Sequence, residues 1–149
     1  MKRIDVIRLE VVRERQVEYG NKKISCGEDL ADLGQKLIGK ADREMFVVVC
    51  LNAQSFINGI SIVSVGTLTA TLITAREVYK YALLSNSASI LVMHNHPSGG
   101  RITPSKEDIE ITKMLIEAGR LLDVELVDHV IISEGNYYSF LDKGTCNFG

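Results

Sequence analysis

The chain has 149 residues, with 17 Lys and Arg against 19 Asp and Glu and a net charge of −2. That length fits one domain, and an apolar fraction of 46% with 24% charged residues is ordinary for a soluble globular fold. The balance lacks the basic excess of most nucleic-acid binders, so charge does not support such a partner, and no window approaches the ~18 uninterrupted apolar residues of a membrane span.

The opening MKRIDVIRLEVV is basic at first, but Asp5, Arg8 and Glu10 break any signal-peptide core, so a cytoplasmic protein is expected. Within residues 4–17 the run IDVIRLEVV reads as a strand, with an edge that could pair in a homodimer. Residues 20–26 read as a turn. Residues 28–38 space Leu30, Leu33, Leu37 and Ile38 at helical intervals. Residues 44–51, EMFVVVCL, form a dense β-branched run suited to a buried strand. AQSFING carries an Asn-Gly turn signal at Asn58-Gly59. Residues 60–65 and 67–73 look like strands, and 75–84 like a helix. Residues 89–93 form an apolar strand running into His94-Asn95-His96. A loop over 97–104 leads to a long helix over 105–122. A strand at 124–132, a turn at 134–136 and a short strand at 137–140 complete the order. Strands alternating with at least three helices imply an α/β (α+β) fold, a mixed sheet flanked by helices. Cys26, Cys50 and Cys146 are odd in number and form no C-x-x-C pair, which suits reduced thiols better than disulfides.

Chemistry concentrates in HNHPSGGRITPSKED, residues 94–108. On a strand, residues two apart share a face, with Cα atoms roughly 6.6 Å apart. His94 and His96 can therefore turn their rings toward one point, and neutral imidazole suits zinc. Asp108 lies in the first turn of the next helix, whose start returns near the strand end. Two His and one Asp make three ligands, the usual count for a catalytic zinc that keeps one position open. Pro97 and Pro104, the chain's two prolines, bracket the loop, and Gly99-Gly100 gives it an adaptable centre. Ser105 can cap the helix, accepting a backbone N–H, and its own proton can be donated to a developing oxyanion. Taken singly, a His pair is usually surface polarity and Ser-x-x-Asp usually a cap. Their joint occurrence at a strand–loop–helix junction favours a metal site.

These residues resemble the RadC family, a branch of the JAB/MPN (JAMM) metalloproteins whose pattern is an upstream Glu, His-x-His, then Ser-x-x-Asp. The likeness extends over DREMFVVVCLN, VSVGTL, AREVYKYAL, EAGRLLDVELVDHVII and YYSF. It implies a three-layer, cytidine-deaminase-like architecture and a single RadC-like JAB/MPN domain over residues 1–149. Full-length RadC proteins resemble a helix-hairpin-helix module joined to this domain, and the sequence departs from that pattern, with no such module read before residue 40. It makes His94, His96 and Asp108 the Zn2+ ligands, Ser105 the oxyanion donor, and Glu44 the general base. Glu77 is a rival for that last role but matches another part of the pattern. The implied reaction is zinc metallopeptidase hydrolysis of a peptide or isopeptide bond in a protein or peptide substrate: zinc acidifies its water toward a pKa of about 7, Glu44 takes the proton and passes it to the leaving amine, and Ser105 steadies the oxyanion. The spacing from His96 to Ser105 is one residue longer than the family pattern. Asp128-His129 also matches, with His129 open as a structural residue, a partner behind the ligands or a fourth ligand.

Other classes fit less well. The literal His-Asn-His is not the HNH nuclease motif, which scatters its residues over a longer segment. A zinc deaminase needs His-x-Glu and Pro-Cys-x-x-Cys, and neither occurs. The alternative of another class is a RadC-like binding or scaffold domain associated with DNA repair or recombination.

Overall fold

A computed structural model describes residues 1–20, 23–66, 73–97 and 102–149. Helix α1 (Gly27–Ile38) precedes strand β1 (Met45–Leu51), β2 (Ile57–Val65), α2 (Ala75–Leu84), β3 (Ser89–Asn95), α3 (Lys106–Leu122), β4 (Glu125–Ser133), β5 (Asn136–Ser139) and the short α4 (Phe140–Lys143). The five strands form one mixed sheet in the order β2-β1-β3-β4-β5. Only β3 and β4 run parallel, joined across α3, while the other neighbours are antiparallel.

Strand alternation sends successive side chains to opposite faces, and here both faces are covered. Phe46, Val48, Ile90 and Val92 pack on one side against Val78 and Tyr79 of α2 and Ile111 and Leu115 of α3. Val47, Val49, Leu91, Met93, Val130 and Ile132 pack on the other against Leu30, Leu33 and Ile38 of α1. The result is three layers, with β3 in the middle of the sheet. Coverage on both faces explains why β1 and β3 read as continuous apolar runs rather than alternating ones.

Several boundaries differ from the sequence reading. Residues 1–19 contain no strand. Ile4, Ile7, Leu9 and Val12 lie exposed, since a strand needs a ladder partner and among the described residues none pairs with them. The turn between β1 and β2 falls at residues 52–55, not at Asn58-Gly59, which lies inside β2. The Asn52 carboxamide accepts from the N–H groups of Gln54 and Phe56, and Ser55 adopts a φ of 67°. An Asx turn therefore supplies the reversal that the Asn-Gly pair seemed to offer. Phe140 begins α4 rather than ending β5, because the Ser139 hydroxyl caps that helix by accepting from Asp142 N–H. The strand read at 67–73 lies outside the described residues except for Ile73, and so do Gly99, Gly100 and Arg101. The three cysteines are free. Among the described residues no helix is long and apolar enough to cross a membrane.

Candidate metal centre

Strand β3 carries His94 near its end, and His96 follows one residue past it. His96 N–H donates to the carbonyl of Ile132 at 2.8 Å, extending the parallel ladder with β4 beyond the assigned strand. That bond keeps the extended backbone through residue 96, so both rings turn to the same face. Asp108 arrives from the first turn of α3. Its position is set by a capping box: Ser105 Oγ accepts from Asp108 N–H at 3.1 Å, and Asp108 Oδ2 accepts from Ser105 N–H at 2.8 Å. The cap uses the exposed Ser105 hydroxyl as an acceptor.

The three side chains meet. His94 Nε2 lies 3.2 Å from His96 Nε2 and 3.3 Å from Asp108 Oδ1, and His96 Nε2 lies 3.8 Å from Asp108 Oδ2. One ligand atom from each falls within 4.8 Å of the others. Ligand atoms about 2.0–2.1 Å from a tetrahedral ion sit about 3.3–3.4 Å apart, so the two distances from His94 match a single first-row metal ion, and a small inward turn of His96 or Asp108 would complete the set. The electrostatics point the same way. Burial opposes ionisation of Asp108, yet the hydrogen bond and charge of His94, with the Ser105 N–H, hold its carboxyl well below the usual carboxylate range. A buried anion faces two imidazole nitrogens, and a cation among them would satisfy all three. His94 and Asp108 are buried, while the His96 side chain keeps a fifth of its surface toward solvent. The one-residue lengthening between His96 and Ser105 does not prevent the approach of Asp108.

Glu44 stands just ahead of β1 and is partly buried. The β1–β3 register pairs Phe46 with His94. Continued two residues past the ladder, it sets the backbone of Glu44 opposite that of His96. Asn95, between the two histidines, holds this stretch: its carboxamide accepts from Met45 N–H at 2.7 Å and donates to the Arg43 carbonyl at 2.8 Å. Both residues flanking Glu44 are thus tied to β3. Glu77 lies on α2 and pairs with Lys80 at 3.1 Å.

His129, on β4, is fully buried, with Nε2 2.8 Å from His94 Nδ1. That contact is to the ring nitrogen of His94 turned away from His96 and Asp108, so His129 stands behind the ligand cluster and outside it. Thr112, buried one turn along α3 from Asp108, touches His129 as well. Sequence reading passed over Thr112 and Asn95. For Thr112 the available signal was its i+4 spacing from Asp108 on one helix face.

Comparison with known proteins places the chain in a family. The model of the RadC-like JAB domain family matches residues 24–145. A UPF0758 protein of Methanosarcina barkeri is 39% identical over 131 residues, covering 88% of this chain and 57% of its own. UPF0758 proteins of Roseiflexus castenholzii and Rubrobacter xylanophilus are 41% and 42% identical over 138 residues, covering 91% of this chain in each case and 59% and 60% of their own. The chain therefore spans somewhat over half the length of these relatives.

Proposed function

We propose that this chain, which belongs to the RadC-like JAB domain family, is a zinc-dependent hydrolase of peptide or isopeptide bonds. The observation carrying this reading is the convergence of His94 Nε2, His96 Nε2 and the Asp108 carboxylate at separations that suit one tetrahedral ion. Two imidazoles and a carboxylate favour zinc over oxygen-seeking metals. Three protein ligands leave a fourth position open, and the partly exposed His96 marks the side from which it is reached. Zinc bound there would supply Lewis acidity, bringing water toward a pKa of about 7.

The remaining work falls to the chain. Glu44, beside His96 at the head of β1, takes the proton from the attacking water and returns it to the leaving amine. The Asn95 clamp keeps its backbone in place through both transfers. Ser105 Oγ, already accepting from Asp108 N–H, has its proton to donate to the oxyanion. Whole-protein substrates and partners of the longer relatives belong to this proposal only as a class, a protein or peptide offering an amide bond.

The deciding experiment is metal analysis of untagged protein purified without chelator, beside His96→Ala. About one zinc per chain in the wild type, lost in the variant, is expected. In zinc-loaded protein, Glu44→Gln should silence cleavage of a peptide library by at least ~100-fold with metal content unchanged. A wild type that takes up no metal even on reconstitution would leave a scaffold domain.

A further inference from the structure

Behind His94 a file of side chains leads into the interior. His94 Nδ1 lies 2.8 Å from His129 Nε2, and His129 Nδ1 lies 2.6 Å from Thr112 Oγ1. Thr112 Oγ1 in turn donates to the main-chain oxygen of Asp108 at 2.7 Å. The file starts at one candidate ligand and ends on the peptide group of another. His129 and Thr112 are both 0% exposed. The His129 ring stacks on Phe140, with centroids 4.4 Å apart and planes 10° from parallel, and meets the edge of Phe46. Packing therefore fixes the ring in place.

Counting protons along the file gives its direction. A threonine hydroxyl has one proton, and a carbonyl oxygen can only accept. At 2.7 Å, a hydroxyl that did not donate to Asp108 would set lone pairs of two oxygens against each other. The proton goes to Asp108, so Thr112 Oγ1 accepts from His129 Nδ1–H. His129 is closed off from water between Phe46 and Phe140, an apolar setting that favours the uncharged ring. A neutral imidazole has one N–H, and here Thr112 takes it. His129 Nε2 is then bare and accepts from His94 Nδ1–H. A neutral His94 with its proton on Nδ1 presents Nε2 as a lone pair, and Nε2 is the nitrogen facing His96 and Asp108.

We infer that Thr112 and His129 are positioning residues that set the tautomer of His94 and hold its Nε2 bare toward a metal ion. The purpose rests on the zinc site proposed above, whereas the tautomers belong to the metal-free chain. The reverse polarity, with Thr112 donating to His129 Nδ1 and His129 Nε2–H to His94 Nδ1, would put a proton on His94 Nε2 and block it as a ligand.

Two-bond 1H–15N correlation spectra of the 15N-labelled, metal-free chain at mildly alkaline pH read this directly. The chain has three histidines, so replacing each singly assigns the rings. Protonated Nδ1 and bare Nε2 are expected in both His129 and His94. Thr112→Val keeps the shape and removes the hydroxyl. It should abolish that tautomer of His129 and weaken zinc binding, measured by chelator competition, about 10- to 100-fold. Thr112→Ser should restore both. A proton on His129 Nε2 in the wild type overturns the inference. So does a Thr112→Val protein with wild-type tautomers and zinc affinity within twofold. Should Thr112→Val fail to fold, the wild-type spectrum and the Thr112→Ser affinity decide. Expected tautomers in a wild type that binds no zinc would support the relay while sinking the hydrolase reading.

Discussion

At the scale of single residues, local chain geometry brings the candidate ligands His94, His96 and Asp108 together, while contacts across the sheet and to α3 fix the side chains around them. His94 and His96 declare themselves because a two-residue spacing on a strand needs no tertiary information. Asp108 does so because a cap box is local. Asn95 has no such signal: its two partners, Arg43 and Met45, are 52 and 50 positions away and come within reach only once β1 lies against β3. Asn95 is buried, so replacing it with Ala leaves a backbone N–H and a carbonyl to find new partners. Asn95→Ala should cost about 2–3 kcal/mol in urea unfolding, with one zinc per chain retained as in the wild type. An unchanged unfolding midpoint would mean that water takes over both bonds and that the clamp on Glu44 is weak. Thr112 is hidden for the same reason, since its contact with His129 joins α3 to a strand that follows it.

At the scale of elements, periodicity located most of the architecture. The runs read as helices at 28–38, 75–84 and 105–122 are α1, α2 and α3 within one residue at either end. The apolar runs at 44–51 and 89–93 are β1 and β3, the latter two residues longer because His94 and Asn95 continue its ladder. Errors arose where a local preference met a competing one. Asn58-Gly59 favours a turn, but the Asn52 side chain had already reversed the chain six residues earlier. What the pattern could not reveal is how closely the layers approach. A Cβ on Gly34 of α1 would collide with the Ile132 side chain on β4 and come within 2.9 Å of Met93 Sδ on β3. Met93 directly precedes His94 on β3 and the Ile132 carbonyl accepts from His96 N–H, so overpacking here pushes on the sheet that holds the candidate site. Gly34→Ala, otherwise favourable in a helix, should lower stability by about 1–3 kcal/mol. Thermal unfolding with and without zinc checks it. Stabilisation instead would show that Ile132 moves aside freely.

At the scale of the whole molecule, residues 1–17 are apolar enough to look structural and yet stay exposed, Val17 the least so. Ile4 is 93% exposed, Val6 101%, Leu9 73% and Val12 79%. Hydrophobic stabilisation follows the area removed from water, and this segment removes almost none. Among the described residues, the hydrogen bonds to the domain come just after it, where the Lys36 ammonium donates to the Glu18 carbonyl and the Tyr19 hydroxyl donates to the carbonyl of Asp29. The three-layer core, the matched region from residue 24 onward and the His94–His96–Asp108 cluster all lie beyond it. Removing residues 1–17 should therefore leave the melting temperature within ~2 °C, since about 1 kcal/mol shifts a domain of this size by only ~2–4 °C. Zinc content should be unchanged. A fall of more than ~5 °C that is independent of protein concentration would mean that the segment packs against its own domain. A melting temperature that rises with concentration in the full chain and not in the shortened one would mean that the segment pairs between copies, as a run of alternating apolar residues can do at an edge of the described sheet such as β2 or β5.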